Sequence, residues 1–173
     1  MKRVLLILSM VMICTFASTV TAQKFALIDM EYILSNIPAY EMTNEQLGQL
    51  SERWNADVEK LQQEAQTMYK NFQSELVFLS AEMKTKREEE IVKKELEVQE
   101  LKRKYFGAEG DFYRRREQLM KPISDEIYEA VKAIADDNGY QVVVERGSNM
   151  NIIYASPRID ISNEVLKKLG YSN

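Results

Sequence analysis

The chain has 173 residues and carries 23 basic against 27 acidic side chains, with a single Cys and no His. The absence of His excludes the usual transition-metal sites, and one Cys excludes an internal disulfide framework. The acidic balance argues against nucleic acid as a partner, because the phosphate backbone attracts basic surfaces.

The first 22 residues have the layout of a secretory signal peptide. Lys2 and Arg3 precede an apolar run over residues 4–16, and small residues up to Ala22 form a cleavage site. The run is shorter than the about 20 apolar residues that a membrane-spanning helix needs. Cys14 lies inside the run, which disfavours a lipid-attachment site. We therefore expect an exported mature chain that lacks both Cys and His and has 21 basic against 27 acidic residues.

The segment after the expected cleavage site starts a small β-rich body. Residues 24–29 are apolar in the middle, as in a strand that is buried on both faces. Asp29 then caps a helical turn that ends at Ser35, and Pro38 is suited to the first position of a long helix. We assign residues 23–37 to the body.

Residues 38–121 are predicted to form a long helical hairpin. In the outgoing half, apolar residues recur every three or four positions and form one helical stripe. In the returning half they recur every seven, which is typical of a coiled-coil seam, although Lys94 and Arg115 interrupt it. The outgoing stripe comprises Leu47, Leu50, Trp54, Val58, Leu61, Ala65, Met68, Phe72, Leu76, Leu79 and Met83, and the returning seam comprises Ile91, Val98, Tyr105, Phe112 and Leu119 with Leu101 and Ala108.

The two halves are expected to pair with each other, because so narrow a stripe cannot be buried against the small body. The reversal is predicted either at Ser80 as an N-cap or at Thr85 with Glu88 in a capping box, near residues 79–85. Ser80 is preferred because it divides the stretch into arms of about 41 residues, each roughly 60 Å long. The alternative is one unbroken helix that pairs between chains.

The returning helix contains three residues that disfavour helix. Gly107 and Gly110 fall off the seam, where they either let the arm bend or are tolerated surface glycines. Pro122 is expected to kink or break the helix, because proline removes a backbone donor and clashes with the preceding turn. Gly139 is a natural left-handed cap that ends the helix.

Two short strands are predicted to follow. Residues 140–145 are rich in Val and residues 151–155 in Ile and Tyr, with a five-residue loop between them, so we expect a β-hairpin. Ser162 is predicted to cap a last short helix that ends at Gly170. Residues 122–173 thus complete the body, and the fold class is α+β.

The body is too small to stand alone. Three strands and a short helix bury little apolar surface, and a small sheet has exposed edges. We therefore expect the strands of several copies to complete one body, in a number that the residues do not fix. The predicted oligomer interface comprises Phe25, Leu27, Val142, Val144, Ile152 and Tyr154.

The order of elements can be compared with that of known families. An apolar strand at 25–29 precedes the long hairpin, and residues 139–140 lead into a valine-rich strand, followed by Ile-Tyr-Ala at 153–155, Asp-Ile-Ser at 160–162 and Val-Leu at 165–166. This order resembles that of the Skp (OmpH) family of periplasmic chaperones. The resemblance implies a homotrimer in which strands of three subunits form a central body and three arms enclose a cavity. It also implies that unfolded outer-membrane proteins, the clients, are held there without ATP.

The chain differs in charge from well-known members of this family. Those members are strongly basic, which helps attract acidic clients and lipopolysaccharide, whereas this chain has a formal net charge of −4 before cleavage. We therefore carry over no residues for contact with lipopolysaccharide or the membrane.

Two functions from different classes follow from this pattern. The first is an ATP-independent holdase, and the second is a structural coiled-coil spacer or adaptor of the cell envelope. We expect no catalytic residue, cofactor or metal, since no paired carboxylates or Gly-rich phosphate loop occur at a suitable spacing. The candidates for client contact are aromatic residues beside the strict seam, with hairpin packing as the alternative for each: Tyr69, Phe78, Phe106 and Tyr113.

Overall fold

The computed structural model describes residues 23–147 and 152–171, so the predicted signal peptide lies outside the described residues. Helices α2 and α3 and the start of α4 form a long arm, and the other elements gather at its base. In chain order the elements are β1 (Lys24–Ile28), α1 (Met30–Ser35), α2 (Pro38–Glu75), α3 (Ala81–Phe106), α4 (Asp111–Asn138), β2 (Tyr140–Glu145), a 3-10 helix (Pro157–Ile159) and α5 (Ser162–Lys168).

The strands β1 and β2 are parallel neighbours in a two-stranded sheet. Phe25 pairs with Val142, and Leu27 pairs with Val144. Parallel neighbours require a crossover connection of about a dozen residues or more, and here the whole arm is inserted into that crossover. The arm must therefore begin and end at the same sheet.

The predicted hairpin between residues 140–145 and 151–155 is wrong for the single chain. β2 pairs with β1 instead, and residues 152–155 form no strand. Residues 148–151, which include most of the predicted loop, lie outside the described residues. The side chains of Ile153 and Tyr154 are 99% and 82% exposed.

The path of the chain after β2 explains why this segment is not paired with it. Asp160 forms an isolated parallel bridge with Leu27. The backbone N–H of Ile161 also donates to the carbonyl oxygen of Leu27 at 2.9 Å. The chain must therefore cross from β2 to the far side of β1, and residues 152–156 are used for that crossing. A strand forms only where backbone groups find a neighbour.

The core lies between the sheet and helices α1, α4 and α5. Its centre is Ile127 of α4, which is 1% exposed, together with the fully buried Ile33 of α1. Burying such a side chain contributes about 1.5–3 kcal/mol. The buried cluster comprises Ala26, Ile28, Ile33, Ile37, Ile123, Ile127, Ala130, Ile134, Ile161, Val165 and Leu166.

Three predicted helix boundaries are confirmed. The Asp29 side chain accepts a hydrogen bond from the backbone N–H of Tyr32 at 2.9 Å, and α1 starts there. Pro38 is the first residue of α2, where its missing N–H costs no hydrogen bond. Gly139 ends α4 with φ of 71°, a conformation that glycine adopts without strain.

The arm reverses direction at residues 76–80. Ser80 is the N-cap of α3, and its hydroxyl accepts a hydrogen bond from the backbone N–H of Met83 at 3.3 Å. The preferred reversal site is thus confirmed over Thr85. Helix α2 has 38 residues, which corresponds to about 57 Å and agrees with the predicted arm length.

The predicted seam holds the two helices of the arm together, and most other residues of the arm are exposed. Its buried members lie on both helices, and most of the larger members around them are half-buried, whereas Leu76 and Met83 near the tip are exposed. A two-helix rod buries only this narrow stripe, so each position on it matters for stability. The buried members are Leu47, Val58 and Ala65 of α2 with Ile91 and Val98 of α3.

Lys94, which interrupts the predicted seam, links α3 to α2 by charge. Its Nζ lies 3.2 Å from Glu97 and 3.4 Å from Glu64 of α2. The hydrogen bond with Glu97 is the main cause that raises the pKa of Lys94, and Glu64 adds to the rise. Because the folded-state pKa of Lys94 is raised, the stabilisation by its charge interactions is present at neutral pH. It is lost only as the pH rises through the folded-state pKa.

Of the kink or break expected at Pro122, the break is wrong, since α4 runs without interruption from Asp111 to Asn138. Proline removes one backbone hydrogen bond, but the turn that follows buries Ile123 and Ile127 in the core. That burial offsets the lost bond. The interruption of the returning helix lies earlier, at residues 107–110.

Close backbone contacts require both glycines at this interruption. The N–H of Gly107 donates to the carbonyl oxygen of Arg103 at 2.9 Å, and the N–H of Gly110 donates to that of Gly107 at 2.8 Å. A Cβ at position 107 would overlap the Arg103 carbonyl oxygen, and one at position 110 would lie 2.7 Å from that of Tyr105. The two glycines are thus structural residues of the break and are more than tolerated surface glycines.

An aromatic cluster, which comprises Trp54, Tyr105, Phe106 and Phe112, joins the break to α2. Trp54 stacks on Tyr105 with ring centroids 4.8 Å apart and an angle of 8° between the planes. Phe106 meets the Trp54 ring edge-on at 6.3 Å, and Phe112 lies 6.2 Å from Phe106. Because its members come from α2, α3 and α4, the cluster holds all three helices at one point.

The substitution Gly110→Ala should destabilise the arm, because the added Cβ would collide with backbone atoms that cannot move independently. We expect a loss of about 1–3 kcal/mol in the free energy of unfolding. Gly48→Ala is the matched control: a Cβ at this position inside α2 meets open space, so it should stabilise by about 0.5–1 kcal/mol. Circular dichroism during thermal unfolding measures the stability of both variants. Equal shifts of the melting temperature with the same sign would contradict the assigned role of Gly110.

Candidate functional site

The four aromatic residues predicted to contact clients do not form one site. Tyr69 lies on α2 and Phe78 at the tip, whereas Phe106 ends α3 and Tyr113 lies in the first turn of α4. Phe78 is 86% exposed, and about half of each tyrosine is exposed. The candidates are thus spread along the arm.

Phe106 differs from the other three because it belongs to the aromatic cluster. It contacts Trp54, Tyr105 and Phe112. Its ring therefore packs within the hairpin, which is the alternative that the sequence left open for it. It remains partly exposed, so its packing role does not remove it from the surface.

The tip of the arm is an exposed apolar patch, which we define as Leu76, Val77 and Phe78. Val77 is 87% exposed, and the N–H of Phe78 donates to the carbonyl oxygen of Glu75 at 2.8 Å, which fixes the turn. Contiguous exposed apolar side chains on a charged surface mark interaction sites. Sequence reasoning singled out Phe78 but missed Val77. The sequence signal for Val77 was the apolar run at the point where the charged hairpin reverses.

The body presents a second apolar surface. Leu27 is buried within the single chain, where residues 160 and 161 also pair with its backbone, and Val144 is partly buried. The pairing of Phe25 with Val142 places two exposed apolar side chains on one face. Four of the predicted interface residues are exposed: Phe25, Val142, Ile152 and Tyr154.

A polar network lies where β1 and β2 end. Asp160 Oδ1 accepts hydrogen bonds from the backbone N–H of Ser162 at 3.0 Å and from its hydroxyl at 2.6 Å. The Ser162 hydroxyl oxygen accepts from the N–H of Asp29 at 2.8 Å, and Arg146 donates to Asp160 Oδ2 at 2.9 Å. The Ser162 side chain thus links the ends of the two strands. The predicted N-cap role of Ser162 is wrong, because Ser162 is the first residue of α5 and Ile161 is the N-cap. These groups satisfy one another, so the network stabilises the body.

Other kinds of site have no support within residues 23–147 and 152–171. No group of three or more Asp, Glu, His or Cys side chains in that part of the chain is arranged to hold a metal ion. None of the helices described there combines the length and the apolar character needed to cross a membrane. The surfaces left for function are the arm and the exposed apolar face of the body.

Comparison with known proteins gives a consistent assignment. A family described as "Outer membrane protein (OmpH-like)" matches residues 24–169. The Chaperone protein Skp of Yersinia enterocolitica is 27% identical over 169 residues, which cover 98% of this chain and 99% of that protein. Chaperone protein Skp of Pectobacterium atrosepticum is 24% identical over 88% of this chain and 89% of its own length.

A solved structure has the same fold. It is that of a putative outer membrane chaperone (OmpH-like) from Caulobacter crescentus, with a TM-score of 0.65 and 10% identity over 86% of this chain and 85% of that one. The predicted long helical arms on a small sheet are thus confirmed. The curated relatives are named as chaperones, which agrees with the predicted absence of catalysis. The family match, which extends over most of the sequence, shows that this chain belongs to the OmpH-like family.

Proposed function

We propose that the protein is an ATP-independent holdase of the periplasm, which binds unfolded outer-membrane proteins between its arms and prevents their aggregation. The observation that carries this proposal is the arm itself. It is a two-helix rod about 57 Å long that exposes apolar side chains at two separate places on a charged surface, Tyr69 on α2 and Val77 with Phe78 at the tip. Membership in the OmpH-like family supports the proposal.

The spacing of these apolar side chains suits the binding of unfolded chains. Each exposed side chain gives a weak contact, and many weak contacts add up over a long client. No single contact is strong enough to prevent release, so no nucleotide is needed to eject the client. The charged residues between them keep the complex in solution.

The net charge limits the range of proposed partners. The mature chain would carry 21 basic against 27 acidic residues, so an anionic lipopolysaccharide or membrane surface is not attracted to it overall. We therefore propose unfolded proteins as the partners and assign no residues to contact with lipopolysaccharide or the membrane. The periplasmic location rests on the signal peptide predicted for residues 1–22, which lie outside the described residues.

We propose further that the body is completed by three copies of the chain. The exposed Phe25 and Val142 lie together on the sheet, and the segment at 152–155, predicted as a strand, has no strand partner in the single chain. A strand from a neighbouring copy would satisfy that segment and cover Ile153 and Tyr154. The number three comes from the family resemblance. In this trimer the body (residues 23–37 and 122–173) joins the copies, and the arm (residues 38–121) binds the client.

The purified mature protein should suppress the aggregation of a denatured porin at stoichiometric amounts and without ATP, because its arms would shelter the apolar segments of the porin. Turbidity after dilution from denaturant measures the effect. A coiled-coil protein of similar length and charge without an apolar tip is the control. Equal turbidity with both proteins would favour the spacer or adaptor function instead.

The substitution Val142→Asp should dissociate the oligomer, since a charge would be buried without a partner in the proposed interface. Light scattering of the native protein should give the mass of a trimer, and the variant should give the mass of one chain. Val92→Asp on the arm is the matched control, because Val92 is similarly exposed and lies outside the body. An unchanged mass for Val142→Asp would refute the interface.

The substitution Phe78→Ser should weaken client retention while the mass of the oligomer stays the same, because it removes one exposed apolar contact at the tip. We expect a loss of about 1 kcal/mol, which is roughly fivefold in affinity. Tyr128→Ser, which removes an exposed aromatic ring from α4, is the control. Retention equal to that of the native protein would exclude the tip from the client site.

A further inference from the structure

A groove lies between α2 and α3, partway along the arm. It has a volume of about 420 Å³ and is partly open to solvent. Its floor is formed by Ala65 and Val98, which are both buried members of the seam. Neither is a large side chain, so the seam is shallow at this point and the helices leave a depression above it.

The rim of the groove is built from amides. Gln62 and Gln66 of α2 and Gln99 of α3 line it from both sides. A glutamine side chain carries one acceptor oxygen and two donor hydrogens without net charge. These are the groups that pair with the N–H and C=O of a peptide backbone. The groove thus combines an apolar floor with walls that can bond to a main chain.

Tyr69 closes one end of the groove with a positioned ring. Its hydroxyl accepts a hydrogen bond from Gln73 Nε2 at 2.7 Å, and about half of its surface is exposed. A partly exposed ring that is held in place can stack on a second aromatic ring at low entropic cost. An incoming aromatic side chain would cover Tyr69 and the apolar floor together.

The charges at the groove favour an acidic neighbour on the ligand. Lys70, Lys102 and Glu95 line it, and Lys102 Nζ donates to Gln62 Oε1 at 3.1 Å. Within the described part of the chain neither lysine forms an ion pair. The groove therefore has a local excess of positive charge on an arm that is otherwise not basic.

We propose that this groove binds an extended segment of the unfolded client, anchored by an aromatic side chain with a carboxylate next to it. The proposal rests on the holdase function and names the part of the client that the arm recognises. A helical ligand fits less well, because its backbone groups are already paired and cannot bond to the glutamines. A lipid chain fits less well too, because it would strip water from the amides without replacing their hydrogen bonds.

A photoreactive peptide tests the position of the site. The probe is a short peptide of alternating apolar and polar residues that carries benzoylphenylalanine beside an aspartate, mixed with the native mature protein. Mass spectrometry should place most cross-links at Ala65, Tyr69 and Val98. A peptide with lysine in place of the aspartate should cross-link several times less. Cross-links spread evenly along the arm, equal yields from both peptides, or no cross-linking at saturating peptide would overturn the proposal.

Retention of a full-length denatured porin gives the second test. Tyr69→Ser should weaken retention by about threefold to tenfold, which is the range for one lost aromatic pair. Gln66→Ala combined with Gln99→Ala should weaken it as well. The matched controls, Tyr128→Ser and Gln63→Ala, change an exposed tyrosine on α4 and a glutamine that does not line this groove.

The two proposals fail in different ways. If the native protein holds no porin, the holdase function fails, whatever the groove does. If the native protein holds porin but the groove variants retain it as well as their controls do, only the groove proposal fails. Circular dichroism of each variant should show an unchanged melting temperature, and a variant with a lowered one is replaced by Lys70→Glu, which reverses a charge at the rim without removing packing.

Discussion

The parallel pairing of β1 with β2 is the constraint on which the rest of the structure depends. The two strands are adjacent, yet Ile28 and Tyr140 are separated in sequence by the whole arm. The outgoing and returning helices must therefore start and finish at the same sheet. A hairpin is the simplest solution, because a single long helix would carry the second strand far from the first.

This closure explains the features of the returning half. Helix α2 is continuous, whereas the return is divided into α3, a glycine break and α4, which continues into the core of the body. The break separates α4 from α3, and the aromatic cluster holds both against α2 at that point. The arm is thus one rod towards the tip and joins the body through a helix that passes across Pro122.

Within residues 23–147 and 152–171, three surfaces have no partner: the apolar tip, the groove beside Tyr69 and the face of the sheet near Phe25. They lie in different parts of the molecule, and each has its own chemistry. The tip offers apolar side chains alone, the groove adds amides and positive charge, and the body offers an apolar sheet face and a segment, residues 152–155, that has no strand partner. We interpret the first two as surfaces for a changing client and the third as one for identical copies, since only identical copies can supply the same strand each time.

The sequence by itself determined the elements that depend on local chemistry. The periodic stripes predicted the hairpin, Ser80, Asp29 and Gly139 marked helix ends, and the order of motifs indicated the family, because caps and periodicity act over a few residues. Only the tertiary structure decided the parallel sheet, the absence of a strand at 152–155 and the helix through Pro122. These depend on contacts between residues that are distant in sequence, where burial and available partners outweigh local preference. The groove could not be predicted from the sequence either. Ala65 and Val98 have the pattern of ordinary seam residues, and the depression above them forms only when their helices lie side by side.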